Sequence, residues 1–151
     1  MSVWFEGSNQ IDCTIDSVKH EVENLGEHYA GVISLMPGLA SVELVQQGDD
    51  SLTIRTNEGL MTRSGVSKVV DVNRVVVEFD EEYQAGSRIT TRGHFVDEFT
   101  ATDVGVTHHL VISDLTASGV LGFFYRNFGK SRIGRALLTA HKAYLEAEAE
   151  G

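Results

Sequence analysis

Asp97 and His108 are the residues whose type and spacing first suggest chemistry. They lie in the stretch GHFVDEFTATDVGVTHHLVI, Gly93 to Ile112. Read as two strands, this stretch puts both residues on the alternating face that carries Phe95, Phe99, Val106, Leu110 and Ile112. A two-residue turn at Thr102-Asp103 would pair Phe99 with Val106, Asp97 with His108 and Phe95 with Leu110. A slip of two residues changes the partners but not the face, because strand periodicity is two. On a face that lines a cavity, burial raises an Asp pKa and lowers a His pKa, while mutual proximity opposes both shifts. Such a pair can orient an imidazole as a general base, hold a polar group of a ligand, or satisfy only itself.

Other candidate groups carry less. His94 and His109 fall on the opposite face with Arg92, Glu98 and Thr107, where solvation is expected. The dipeptide His108-His109 is a poor metal-ligand pair, since neighbouring strand residues point to opposite sides. No H-E-x-x-H or C-x-x-C spacing accompanies it, so neither a metal nor a cofactor is expected. GVLGFFYRNFG is not a phosphate-binding loop, and a G-x-S-x-G elbow is absent. Arg126, Lys130, Arg132 and Arg135 make a basic stretch that reads as a solvated helix face, with a patch for an acidic headgroup as the alternative.

The elements that must position these residues follow from periodicity. A first strand is expected over Ser8 to Ile15, with Ile11, Cys13 and Ile15 in phase. Asp16 and Ser17 offer N-cap oxygens to a short helix whose Val18, Val22 and Leu25 share a face. Gly26 is expected to interrupt it before a second short helix from Glu27 to Met36, stopped by Pro37-Gly38. Six period-two segments follow: LASVELVQQ, DSLTIRTN, EGLMTRSGVSKVVDV, RVVVEFDEEY, SRITTRGHFVDEFTAT and VGVTHHLVISDL. Short turns between them predict an antiparallel meander. From Ser118 onward the period is helical, with stripes at Leu121, Phe124 and Phe128 and at Ile133, Leu137, Ala140 and Tyr144, and a kink expected near Gly129.

Length and charge bound the setting. A chain of 151 residues reads as a single domain over 1–151 that buries roughly two-thirds of its unfolded surface. The lone Cys13 cannot close an internal disulfide, and Met1 to Gln10 has no signal-peptide pattern. No apolar run reaches the roughly 18 residues of a membrane span. A cytoplasmic protein without integral membrane association is expected. The formal net charge of -10 disfavours nucleic acid as a partner. The acidic balance fits an ordinary cytosolic protein or adaptation to salt, and oligomeric state is left open.

An apolar sheet face must be covered, and the long amphipathic element available for it is the C-terminal helix. The expected class is α+β in the helix-grip arrangement: a curved seven-stranded antiparallel sheet, two short helices after strand one and a long C-terminal helix. SLMPGLASVELVQQGDD, following a helix pair and opening a meander, resembles the Met-Pro-Gly, hydrophobic, x, Ser-Val passage of the SRPBCC superfamily, the START-like and polyketide cyclase/dehydrase group. GVLGFFYRNFGKSRIGRALLTAHKAYLEAEAE is similar to the Gly-Leu-Leu-Gly entry and LKAYLEA-like ending of the same group. One departure is that members often carry a Trp ahead of Met-Pro-Gly, where Tyr29 is the nearest aromatic here.

The resemblance implies an apolar cavity between sheet and helix that holds a lipid, polyketide or aromatic compound. Its expected lining is Met61, Val77, Phe79, Phe95, Asp97, Phe99, His108, Leu110, Phe124 and Phe128. The leading functional expectation is non-enzymatic binding of a small hydrophobic ligand. Two alternatives stand beside it: a cyclase/dehydrase-type enzyme with His108 and Asp97 as acid/base pair, and an interaction protein of the chaperone-regulator kind.

Overall fold

The computed structural model describes residues 2–86, 89–118 and 130–150. Strand β1 (Val3–Ile11) leads into helix α1 (Ile15–Glu21), a 3-10 turn (Val22–Asn24) and helix α2 (Leu25–Ser34). Six strands follow: β2 (Val42–Gln47), β3 (Leu52–Thr56), β4 (Gly59–Val70), β5 (Arg74–Ala85), β6 (Ile89–Thr102) and β7 (Gly105–Ala117). Helix α3 (Lys130–Glu150) completes the order. The strands form one antiparallel sheet, β1-β7-β6-β5-β4-β3-β2, so the meander closes back on β1. This is the expected α+β helix-grip architecture. The predicted stripe at Phe124 and Phe128, and the kink near Gly129, lie outside the described residues.

The first strand and the helix starts differ from expectation. β1 begins at Val3 and ends at Ile11, because Ile11 is the last residue to pair with β7, opposite Val106. Cys13 is buried without belonging to the strand. The oxygen that caps α1 comes from Thr14, whose Oγ1 accepts from the Ser17 amide at 3.1 Å. Gly26 does not break the helix pair. The break is the 3-10 turn, and Asn24 starts α2 by accepting from the Glu27 amide.

The sheet buries one face. Val75, Val77 and Phe79 of β5, Phe95 and Phe99 of β6, and Val106, Leu110 and Ile112 of β7 all lie on it. Each such side chain, fully buried, is worth about 1.5–3 kcal/mol of transfer free energy. Register shifts place an extra residue in β4 after Ser64 and in β7 between Ser113 and Thr116, opposite Gly93, and bend these long strands, as bulges do. α3 covers the face with Leu137, Leu138, Ala140, His141 and Leu145 and packs on β1, β7, α1 and α2. Its approach to β1 is close: a Cβ on Gly134 would stand 2.4 Å from the Phe5 ring. Among the described residues no helix is long and apolar enough to cross a membrane.

Candidate functional site

Four elements bring polar side chains together inside this apolar layer. β6 contributes Asp97 and β7 contributes His108. The turn between these strands is Asp103-Val104, with Thr102 opposite Gly105. The register is therefore shifted by two from the expected pairing: Phe99 faces His108, Asp97 faces Leu110 and Phe95 faces Ile112. Asp97 and His108 are diagonal neighbours on the buried face, within reach of each other. His108 Nε2 donates to Asp97 Oδ1 at 2.7 Å, and its ring stacks on Phe99 with centroids 4.5 Å apart.

α2 adds Tyr29, whose hydroxyl donates to Asp97 Oδ2 at 2.7 Å. α3 adds His141, with Nδ1 donating to the Leu137 carbonyl at 3.0 Å and Nε2 standing 3.9 Å from Asp97 Oδ2. His28 of α2 lies against this group, its ring 5.6 Å from that of His141, and neither of its nitrogens has a hydrogen-bond partner. All five residues are buried.

Arg63 of β4 forms a second buried polar group. It sits directly opposite Glu81 of β5 in the sheet, and its Nε and Nη2 donate to Glu81 Oε2 at 3.0 and 2.9 Å. The guanidinium lies 4.4 Å from the Tyr29 ring centroid and 4.3 Å from that of Phe79, so aromatic faces replace part of its hydration. Arg63 is 2% exposed, and its Nη1 has no partner.

Burial dominates the electrostatics. It depresses His28 to about 3, with the charge of His141 adding to the effect. It depresses His141 to about 4, with the Asp97 charge opposing. Burial pushes the Asp97 carboxyl up, but the charge of His141, the His108 hydrogen bond and charge and the Tyr29 hydrogen bond together hold it below the usual carboxylate range. Burial, then the Asp97 charge, raises the Tyr29 phenol well above its ordinary value. At neutral pH the core therefore holds neutral His28 and His141 rings and a protonated Tyr29 phenol around Asp97.

A cavity of about 210 Å³ lies between the end of α2, the Pro37 turn, the start of α3 and strands β4 to β6. Its wall is mostly apolar, and its polar groups are Arg63, Glu81, Glu58 and Tyr83. A void of about 10 Å³ adjoins it, sharing Ile33, Arg63, Phe95 and Leu137 and bordered also by Asp97 and His141.

The expected lining residues divide. Met61 and Phe95 line the larger cavity, and Phe79, Asp97 and Leu110 border the small void. Val77, Phe99 and His108 line neither and are packed core. Phe124 and Phe128 lie outside the described residues. Tyr29, Arg63, Glu81, His28 and His141 were not among the expected site residues. The signal for several was present in the sequence. Arg63 and Glu81 occupy apolar phases of their strands, beside Met61 and Phe79, and His141 follows Leu137 by four on the α3 stripe.

No protein-family model matches the sequence, and no curated protein matches it. Solved structures do match. A STAR-related lipid transfer protein from Xanthomonas axonopodis aligns with a TM-score of 0.57 at 12% identity, over 93% of this chain and 84% of that one. The di-domain ARO/CYC StfQ from the steffimycin biosynthetic pathway aligns at 0.54 and 14% identity, over 97% of this chain and 52% of that one. Human StAR-related lipid transfer protein 5 aligns at 0.50 and 13% identity, over 96% of this chain and 74% of that one. The seven-stranded meander gripping α3 is thus the fold of these START-like proteins, the fold that the resemblance to the SRPBCC superfamily implies.

Proposed function

We propose that this chain binds a small, mostly apolar ligand carrying one oxygen-bearing end, held between α2, α3 and strands β4 to β6. The observation that carries this reading is a 210 Å³ cavity with an apolar wall that ends on a buried guanidinium with one unpartnered nitrogen. Burial of the apolar part supplies affinity, and a few polar groups supply orientation. Arg63 lines the cavity and has in Nη1 one donor left over for a carboxylate, carbonyl or phenolic oxygen. The cavity is smaller than the roughly 300–1,000 Å³ of drug-sized sites, which favours a single ring or a short acyl chain. Names among the structural neighbours, lipid transfer proteins and an ARO/CYC, agree with an apolar ligand. An interaction protein with a filled interior fits the cavity less well.

The cyclase-type reading keeps one supporting observation. Asp97 borders a void that adjoins the cavity and holds His108 at 2.7 Å. His108 itself lines neither space, so Asp97 and the Tyr29 hydroxyl, rather than the imidazole, stand closest to any substrate.

The test is calorimetry with matched pairs of ligands, aromatic or short-chain carboxylic acids against their hydrocarbon analogues, run in chelator. The acid is expected to bind the native chain. Arg63→Gln should weaken it by about 10–100-fold, the worth of a charge-assisted hydrogen bond, while leaving the weak binding of the hydrocarbon unchanged. Leu39→Trp, which enlarges another residue of the cavity wall at the expense of its volume, should remove both. Equal binding of acid and hydrocarbon, or binding that survives Leu39→Trp, would sink the reading.

A further inference from the structure

One donor atom from each of Asp97, His108 and His141 lies within 4.8 Å of the other two, in the buried interior. The hydrogen bonds around them leave an imbalance. A carbonyl only accepts, so His141 Nδ1 carries the proton it shares with Leu137, and in the neutral ring Nε2 carries a lone pair. That lone pair has no hydrogen-bond partner and stands 3.9 Å from Asp97 Oδ2. A lone pair facing a carboxylate oxygen away from water is unfavourable until positive charge lies between them. The protein supplies little. Arg63 is the only buried Lys or Arg among the described residues, and Glu81 already engages it. The buried Asp97 carboxylate is thus left without a Lys or Arg partner among the described residues.

We propose that Asp97, His108 and His141 form a three-ligand site for a divalent first-row transition-metal ion of the zinc class. Zinc bound to nitrogen and oxygen at about 2.0–2.1 Å in a tetrahedron holds its ligand atoms about 3.3 Å apart. His108 Nε2 stands 2.7 Å from Asp97 Oδ1 and His141 Nε2 stands 3.9 Å from Asp97 Oδ2, and one donor atom from each residue fits within 4.8 Å of the others, close to that spacing. Closing around an ion draws the three donor atoms together from within 4.8 Å of one another. Binding through His108 Nε2 requires the proton that this atom now donates to Asp97 to move to Nδ1 of the same ring, a tautomer change that leaves the imidazole neutral and releases no proton.

The outer partners are already in place. The Leu137 carbonyl selects the His141 tautomer that presents Nε2, and the Tyr29 hydroxyl orients the carboxylate of Asp97. Two imidazoles and one carboxylate favour transition metals over magnesium or calcium, which take oxygen ligands. The void beside Asp97 and His141, about 10 Å³, approaches the room one water needs and would face the open fourth position. The sequence excluded a metal because it considered His108 with His109. The third ligand comes from α3, and only packing of the helix on the sheet adds it.

The site borders the proposed ligand cavity but does not require a ligand there. It is tested on the full chain, stripped with chelator, freed of it and titrated with Co(II) in the absence of any apolar compound. One equivalent is expected to bind, with the intense visible bands of a four- or five-coordinate site. Zn(II) should bleach those bands by displacement. His141→Gln should weaken uptake at least about 10–100-fold, the cost of disturbing even an outer partner. Asp97→Asn should do the same if it folds. His94→Ala and His109→Ala, on the outer face, should leave uptake unchanged. Absence of the bands from folded wild-type protein, unchanged affinity in His141→Gln, or loss of uptake in His94→Ala would each overturn the proposal, the first by leaving a proton as the charge between His141 and Asp97. Leu39→Trp should retain Co(II) while losing the acid ligand, so failure of one reading is distinct from failure of the other.

Discussion

The two faces of the same strands carry similar residues and treat them oppositely. His108 and His109 are neighbours in β7, and each has a carboxylate for a partner. On the outer face His109 is satisfied at both nitrogens, by Glu6 at 2.8 Å and Ser8 at 2.6 Å, and His94 is held between Asp80 and Glu78 at 2.9 and 2.6 Å. On the inner face His108 Nδ1, His141 Nε2 and both nitrogens of His28 have no partner. A histidine beside a carboxylate therefore marks nothing by itself. What separates the faces is that polar atoms on the inner one are both desolvated and left over, and such atoms are the ones a bound ligand or ion would complete.

Removing a carboxylate from each face gives the largest contrast. Asp97→Ala strips the acceptor from His108 and Tyr29 and leaves buried donors unpaired, a loss expected at about 3–5 kcal/mol. Glu78→Ala removes one partner of a partly exposed His94 and should cost under about 1 kcal/mol. Urea melts of both variants in chelator measure the difference, and similar midpoints would break the comparison.

His28 sharpens it in the other direction. A buried imidazole with neither nitrogen bonded costs free energy relative to an apolar ring of similar shape, so His28→Phe is expected to stabilise the fold by about 1 kcal/mol or more. A destabilised His28→Phe would show that the ring has a polar partner, such as an ordered water, that repays its burial.

The smallest effect is on the outer face. The Asp80 hydrogen bond, against modest desolvation and with the help of Glu78, raises the His94 pKa. A histidine with a raised folded pKa contributes stability that is fully present below its unfolded value of about 6.5 and is lost as pH rises through the folded value. Water screening keeps that contribution small. The melting temperature of wild type relative to His94→Gln should accordingly fall from pH 6 to pH 8, and a rise would reverse the assigned sign.

Much of the fold was readable because its signals are local. Six period-two segments and the stripe of α3 predicted the meander and its cover, and the face of Asp97 and His108 survived a register error of two residues because two is the strand period. The error itself arose from the turn. Composition alone does not separate Thr102-Asp103 from Asp103-Val104, and the pairing of Thr102 with Gly105 fixes the second. β1 was misplaced for a similar reason: Cys13 continues its apolar phase but belongs to the bend that Thr14 turns into α1.

The candidate site was half legible. Arg63 and Glu81 break the apolar alternation of β4 and β5 just as Asp97 and His108 break that of β6 and β7, so the same rule would have found them. Tyr29, His28 and His141 are different. An aromatic or imidazole on an amphipathic helix stripe is ordinary core, and nothing in its own element distinguishes it from Val32 or Leu138.

From the sequence alone, then, came the element order, the buried face of each strand and the presence of polar residues on it, because each depends on spacing within one element. Tertiary structure decided which of those residues meet. The Asp97 carboxylate collects Tyr29 from α2, His108 from β7 and His141 from α3 because α2 and α3 pack over one patch of sheet, and packing between elements distant in sequence leaves no periodic trace in any of them.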